Sequence, residues 1–407
     1  MKDQKKSNEK KHGALMVKNE GDASAVQLVN EIIDHAIEKR ASDIHVEPCQ
    51  EDLKVRFRID GLLYEIMVLA KDIMLTLISR IKVLSQMDIA EKRVPQDGRM
   101  QISFQDRVID IRVSTLPTVF GEKVVMRLLD KQGQLLTIEQ LGFNPLNLKR
   151  FQQLICHKHG IILFVGSTGS GKTTSLYAVI NYLNKIEQNL VTIEDPVEYI
   201  IPGINQTQVN TKAGYTFANG LRSILRQDPD IIILGEIRDA ESADIAVKAA
   251  ISGHLVFSTL HTHDAACTMG RLVDMGIEAY LVSSAVMGVV CQRLVRVLCP
   301  YCKEAYVLPR YGEKRAFLQL SPAQPLVLYG PKGCVHCNYL GYQGRTAIQE
   351  ILPVSKTIRT LVKHGGTEQD ILRQAQKEGM QTLEQDGIAT VSYTHLTRGS
   401  GGRCWYQ

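Results

Sequence analysis

The stretch IILFVGSTGSGKTT, residues 161–174, decides the fold. Ile161 to Val165 is a wholly apolar run, the mark of a strand buried on both faces. Gly166 to Thr173 follows it and fits the GxxxxGK[ST] pattern, and TSLYAVI (174–180) after it is compatible with a helix. Glycines in such a loop let backbone N–H groups turn inward around phosphate oxygens, and the helix N-terminus adds its positive end. Lys172 is then placed for the β and γ phosphates and the Thr173 hydroxyl for Mg2+. The expected nucleotide-binding residues are Gly166, Ser167, Thr168, Gly169, Ser170, Gly171, Lys172, Thr173 and Thr174.

Downstream, Leu190 to Ile193 and Ile231 to Leu234 are similar apolar runs separated by helical stretches. Buried strands alternating with helices predict an α/β domain with a mainly parallel sheet and helices on both faces. The run at 231–234 ends in Gly235-Glu236. A usual Walker B strand ends in Asp; here Gly235 takes that place and the carboxylate falls one residue later. Glu236 could orient or deprotonate water, or hold Mg2+ through water. Glu194, Asp195 and Glu198 follow the strand LVTI and add three more carboxylates, although a solvated strand-end turn has the same composition. His254 and His261 lie seven apart in GHLVFSTLHTH (253–263), around an apolar strand. At the two ends of that strand they could sense the γ phosphate, or simply be satisfied structural histidines.

Upstream, Val29, Ile32, Ile33, Ala36 and Ile37 recur at helical spacing. Leu53, Val55, Phe57 and Ile59 then alternate with Lys54, Arg56, Arg58 and Asp60, and Asp60-Gly61 turns the chain into LLYEI, a hairpin signature. A helical stretch over about 71–89, an alternating pair at 99–104 and 107–113, and a further strand at 123–129 complete one small α+β domain over residues 23–130. The expected organisation is a disordered basic lead (1–22), this domain, a linker (131–148), the nucleotide-binding core (149–298), a cysteine-bearing insert (299–345), a C-terminal helical part (346–390) and a divergent tail (391–407).

Within the insert, Cys299 and Cys302 form one CxxC knuckle and Cys334 and Cys337 a second, 31 residues apart. Four thiolates in two knuckles suit a closed, structural tetrahedral Zn2+. Nine cysteines in 407 residues without a signal peptide argue against a disulfide framework, and a redox CxxC lacks the βαβ context it needs.

Forty-eight Lys and Arg against 43 Asp and Glu leave +5, of which residues 1–12 carry five Lys against Asp3 and Glu9. The nearly neutral remainder, with 6% aromatics, argues against a dedicated nucleic-acid binder. No apolar run approaches the roughly 18–20 residues of a membrane span. The chain reads as soluble and cytoplasmic, reaching a membrane only through partners.

The segments ASDIHVEP (41–48), DIAEKRVPQDGRM (88–100), VSTLPTVFGEKVVMRLLD (113–130), GSTGSGKTT (166–174), TIEDPVEY (192–199), LRSILRQDPDIIILGEIRD (221–239) and GHLVFSTLHT (253–262) together resemble the secretion ATPases of type II secretion and type IV pilus assembly. The resemblance covers roughly residues 23–387. It implies a RecA-like P-loop ATPase domain preceded by a small α+β, PAS-like domain, paired between neighbours in a homo-hexamer. Such a ring hydrolyses ATP to power assembly of pilin-like subunits, at the inner membrane, on platform proteins. It also implies roles for single residues: Glu198 as the acidic-box glutamate, Glu236 as the Walker B glutamate, and His254 and His261 as the histidine box. Arg112, Arg127, Arg222 and Arg226 match arginines that approach nucleotide. From the residues alone, Arg222 and Arg226 share a helix face that solvent would equally suit, and Arg112 sits on the polar side of a strand. Longer members of that family carry a further N-terminal domain for docking, where this sequence has its lysine-rich lead. The alternative is a RecA-like motor on nucleic acid, which calls for a basic, aromatic-bearing channel.

Overall fold

The computed structural model describes residues 25–105, 107–130, 135–307, 318 and 327–395, with Asp130 and 391–395 described by backbone alone. The basic lead, most of the stretch between the two cysteine pairs, and the tail from 396 lie outside the described residues. The chain divides into two compact units, Met1–Gly133 and Gln134–Gln407.

In the first unit, Leu28, Val29, Ile32, Ile33 and Ala36 fall on one face of α1 (Ala25–Glu38) and are all buried. The sheet comprises β1 (Asp43–Pro48), β2 (Asp52–Ile59), β3 (Leu62–Ala70), β4 (Gln96–Phe104), β5 (Arg107–Thr118) and β6 (Gly121–Asp130), with α2 (Met74–Leu84) between β3 and β4. Its order is β3-β2-β1-β6-β5-β4, and every neighbouring pair is antiparallel. Asp60 and Gly61 take φ of 48° and 88°, the two positive values that a two-residue type I′ hairpin requires. Alternation gives the sheet two unlike faces. Ile44, Val46, Leu53, Val55, Phe57, Ile111, Val113, Val124 and Met126 are buried on one. On the other, the registers place Arg58, Asp43, Arg127, Arg112 and Arg99 directly beside one another across β2, β1, β6, β5 and β4. Lys82 of α2, almost wholly buried, pairs with Glu122 of β6 at 2.5 Å and donates to the Glu91 carbonyl at 2.7 Å. Removing either ion would strand the other in the interior.

The second unit opens with α3 (Pro145–Ile155), then β7 (Gly160–Val165), α4 (Lys172–Leu183), β8 (Leu190–Glu194), β9 (Asn205–Gln208), α5 (Phe217–Ile224), β10 (Ile231–Leu234), α6 (Ala240–Ile251), β11 (Leu255–Leu260), α7 (Cys267–Asp274), α8 (Ala279–Ala285) and β12 (Val286–Leu298). After the small pair β13 (Glu304–Val307) and β14 (Val327–Gly330) come β15 (Tyr342–Pro353), α9 (Lys356–Lys363), α10 (Glu368–Lys377) and α11 (Leu383–His395). The sheet runs β15-β12-β7-β11-β10-β8-β9, with all neighbours parallel except β12 and β15. Along β7, Ile161, Leu163 and Val165 enter one core with α5 to α10, while Ile162 and Phe164 enter a second with α3 and α4. That is why this strand is apolar at every position: helices cover both faces, and each fully buried side chain of this size contributes about 1.5–3 kcal/mol.

Three segments differ from the sequence expectation. In the stretch expected to be a linker, 131–148, Ile138 and Leu141 of a 3-10 turn are buried in the second core, and Asn144 caps α3 by accepting from the Asn147 N–H. The apolar residues of this stretch, Leu135, Leu136, Ile138, Leu141, Phe143, Leu146 and Leu148, follow no single helical or strand period, while Gly142 and Pro145 interrupt them. The part expected to be helical from 346 begins with β15, which closes the sheet edge antiparallel to β12. Its start, Tyr342, lies inside the stretch expected to be irregular, because the partner strand that orders it is about fifty residues upstream.

Candidate active site

Parallel strands bring their carboxyl ends to one edge, where ligands of such sheets bind. Val165 pairs with Leu260 and Cys291, and Leu234 with Ser258 and Ile193, so Gly166, His261, Gln292, Gly235 and Glu194 emerge along the same edge.

The glycine loop turns at Gly166, Gly169 and Gly171, with φ of 143°, 77° and 89°. A Cβ at Gly166 would stand 2.5 Å from the Gln292 carbonyl oxygen and 2.7 Å from Ser170 Oγ, so no other residue fits there. Lys172, the first residue of α4, folds back to donate to the Gly166 carbonyl at 2.7 Å and the Ser167 carbonyl at 3.1 Å. Burial pushes its pKa down, opposed by the charge of Glu236. Ser170 Oγ is buried and has no hydrogen-bond partner among the described residues. Such an orphaned hydroxyl is costly, and a phosphate oxygen is a partner of the right kind. Thr173 and Thr174 are exposed on the first turn of α4.

The acidic residues divide by environment. Glu194 is buried: Thr192 Oγ1 donates to it at 2.6 Å, Gln206 Nε2 at 3.2 Å, and Tyr177 Oη through a short hydrogen bond. Tyr177 in turn accepts from the backbone N–H of Glu198 at 3.0 Å and of Tyr199 at 3.3 Å. Burial and the Glu194 carboxylate raise the Tyr177 pKa. Glu194 therefore anchors the Glu198 backbone to α4, and Tyr177 is a link that periodicity could only read as core. Glu236 is held by Arg238, which also reaches Asp195 Oδ2 at 3.1 Å, and its Oε2 lies 3.8 Å from His261 Nε2. Arg238 was not singled out in the sequence, although GEIRD places it two residues beyond Glu236. At Gly235, a Cβ would meet the Ile193 carbonyl oxygen at 3.2 Å and Glu194 Cα at 3.3 Å. A side chain here would have to push the backbone at the end of β8 aside by a few tenths of an ångström.

His254 is not brought to this edge. It precedes β11 at the amino end, about 20 Å along the strand from Leu260. There its Nδ1 lies 3.0 Å from the Ala249 carbonyl and 3.2 Å from Ser252 Oγ, the satisfied structural arrangement. Arg222 donates to Glu241 at 2.7 Å, and Arg226 donates to the Arg222 carbonyl at 2.9 Å; they share a face, as their spacing requires, on the exposed side of α5 and just past it. In the first unit, Arg127 Nε lies 3.0 Å from Asp43 Oδ1, and Arg112 is opposite Arg127 in the ladder.

The four paired cysteines converge although most of the intervening chain is outside the described residues. Sγ separations are 3.9 Å for Cys299–Cys334, 3.7 Å for Cys302–Cys337 and 3.8 Å for Cys334–Cys337. These exceed a disulfide of about 2.05 Å by far. They match the edge of about 3.8 Å that four sulfurs around one ion at about 2.3 Å would have. Burial pushes the Cys302 thiol up to about 12, whereas at Cys337 the N–H groups of Cys334 and Gly341, 3.2 and 3.1 Å away, outweigh burial and bring the thiol to about 7. His336 stacks on Tyr301 with ring centroids 4.3 Å apart, outside the sulfur cluster.

Residues 18–398 match the model of the family described as Type II/IV secretion system protein. Type II secretion system protein E of Dickeya dadantii is 50% identical over 376 residues, 92% of this chain and 74% of that protein. Type II secretion system ATPase E of Vibrio cholerae is 47% identical over 376 residues, with the same shares covered. The crystal structure of the pilus retraction motor PilT with bound ADP aligns with TM-score 0.59 and 26% identity, covering 90% of this chain and 94% of that one. The Legionella pneumophila ATPase DotB aligns with TM-score 0.67 at 20% identity, covering 94% and 96%, a likeness of fold. A phosphate loop beside a strand-end glutamate and histidine, in a chain 50% and 47% identical to the two type II secretion proteins, has one assignment: the chain belongs to the Type II/IV secretion system protein family, as a secretion ATPase.

Proposed function

We propose that the chain works as a homo-hexameric, RecA-like motor that powers assembly of pilin-like subunits, in type II secretion or type IV pilus biogenesis. The observation that carries this reading is the single sheet edge where the phosphate loop, Glu236 and His261 emerge together. Residues Gly166 to Thr174 receive ATP, the Thr173 hydroxyl holds Mg2+, and Lys172 meets the phosphates. Glu236, beside His261, positions the attacking water or takes its proton, and Glu198 supports it from the loop that Tyr177 anchors. Arg112 and Arg127 of the PAS-like first unit supply positive charge to the triphosphate of a neighbouring subunit. Their places directly opposite each other on one face of the ladder support this reading. Arg222 and Arg226 serve the nucleotide only if Arg222 releases Glu241. The four cysteines hold a structural Zn2+; it would stiffen the module and take no part in hydrolysis. No described helix is long and apolar enough to cross a membrane. Inner-membrane platform proteins then provide the docking site for a cytoplasmic, peripheral ring.

The relatives named above are secretion proteins, which favours this motor over one acting on nucleic acid. The deciding measurement is ATP turnover of the purified chain with the cytoplasmic domain of a platform protein and, separately, with DNA. Stimulation by the former is expected; stimulation by DNA alone would reverse the choice.

A further inference from the structure

Gln292 lies on β12, 120 residues from the glycine loop in sequence, and no motif includes it. It is almost wholly buried. Its Nε2 donates to the Ser170 carbonyl at 2.8 Å, inside the loop, and its Oε1 accepts from Ser175 Oγ at 2.9 Å, on the first turns of α4. Its own carbonyl oxygen is the atom that would meet a Cβ at Gly166 at 2.5 Å, and its amide nitrogen the one that would meet a Cβ at Gly171 at 2.9 Å. One residue therefore touches the loop at its start, near its end, and on the helix it feeds.

A phosphate loop has a problem of its own. Turning N–H groups inward toward an anion turns carbonyls outward, and those need donors of their own when buried. Lys172 satisfies Gly166 and Ser167. The Ser170 carbonyl takes its donor from Gln292. Only an amide meets both demands at once, because Ser175 presents a hydroxyl to be accepted while Ser170 presents a carbonyl to be donated to. Asn would be one methylene short, and Glu would set a carboxylate against the Ser170 carbonyl.

We infer that Gln292 is a positioning residue for nucleotide binding, holding the loop open in its phosphate-receiving form before ATP arrives. Removing it leaves every phosphate-contacting group in the chain but lets the loop sample other conformations. Nucleotide must then select the competent fraction, so affinity falls by that fraction. The bond to the Ser170 carbonyl is the one that holds the loop itself, and losing a buried hydrogen bond of about 1–1.5 kcal/mol corresponds to about tenfold.

The test uses the full chain with Gln292→Met, which keeps length and loses both hydrogen bonds. Three readings are taken: the dissociation constant for ADP, the steady-state KM and kcat for ATP, and amide exchange without nucleotide. The expected result is a KM and ADP dissociation constant raised about tenfold, a smaller change in kcat, and faster exchange confined to residues 166–175. Ser175→Ala, which leaves the Ser170 bond in place, should show a much smaller loss of ADP affinity. If Gln292→Met fails to fold, Gln292→Glu keeps the Ser175 bond and should give the same split. ADP affinity within twofold of wild type in either folded variant overturns the inference. So does faster exchange across the whole sheet, which would make Gln292 a general core residue. Wild-type ADP binding is the control for the nucleotide site itself.

Discussion

Arg112 on β5 and Arg127 on β6 stand directly opposite each other across an antiparallel ladder, with Arg99 one strand further on. Directly opposed side chains point to the same face. Asp43, beside Arg127 on β1, is the acid in a row that otherwise holds four arginines, and it also lies 3.6 Å from Arg58. The row itself thus sets four arginines against one aspartate on a single face of the sheet. If Arg112 and Arg127 serve the triphosphate of a neighbouring subunit, as proposed, turnover depends on these arginines acting in trans.

Arg127→Ala should lower kcat strongly with little loss of nucleotide binding; arginines acting in trans are worth about 10³–10⁵ in rate. Mixing Arg127→Ala chains with Lys172→Ala chains should regain part of the activity, because some interfaces then join an intact loop to an intact arginine. Absence of recovery in proven mixed rings would place the arginine's action elsewhere.

Glu236 and Lys172 share a site but should fail differently. Lys172→Ala deletes charge facing the phosphates and weakens ATP binding, whereas Glu236→Gln leaves the loop intact and traps ATP unhydrolysed. Filter binding of labelled ATP with single-turnover hydrolysis separates them. Near-normal hydrolysis by Glu236→Gln would move the catalytic role to Glu198, whose backbone is tied to Tyr177.

Purified without chelators, the chain should carry one zinc per copy by elemental analysis, and Cys299→Ser should lose it. Among the described residues the cysteine module has little apolar core beyond its sulfurs, so metal loss should loosen it and raise proteolysis between β12 and β15. A metal-free protein with the same proteolysis pattern would leave the four thiols as packing groups.

What was legible in the sequence was local. Asp60-Gly61 predicted its turn because both positive φ values are a property of two adjacent residues, and the GSTGSGKT loop predicted its strand and helix for the same reason. His254 and His261 looked equivalent, seven apart around one strand. Strand direction alone separates them, and it sends His261 to the edge that carries the glycine loop and His254 to the other. Gln292 was illegible because its partners, Ser170 and Ser175, lie more than a hundred residues away, and a polar residue in an apolar strand does not name the carbonyl it will meet. The antiparallel edge strand of the second unit is illegible for the same reason, since β15 is ordered by β12.

The polar face of the first unit also carries a pH dependence whose sign can be worked out at Glu47. Burial alone would raise its pKa, but Arg56 Nε at 2.6 Å and Lys123 Nζ at 2.7 Å outweigh burial and hold it at about 2, against 4.5 for the free group. The unfolded chain thus binds a proton more readily than the folded one between those values. The stabilisation is complete above about pH 4.5 and is lost as pH falls toward about 2. Its size is at most about 3 kcal/mol at 1.36 kcal/mol per unit, and about 1–2 kcal/mol once solvent screening of the two partly exposed cations is allowed for. Thermal or urea unfolding of the full chain, followed through this window, should show wild type losing that increment. Glu47→Gln should be less stable at neutral pH by a similar amount and should lose less on acidification. Parallel acid profiles for the two proteins would show that the Glu47 ion pairs contribute nothing to folding.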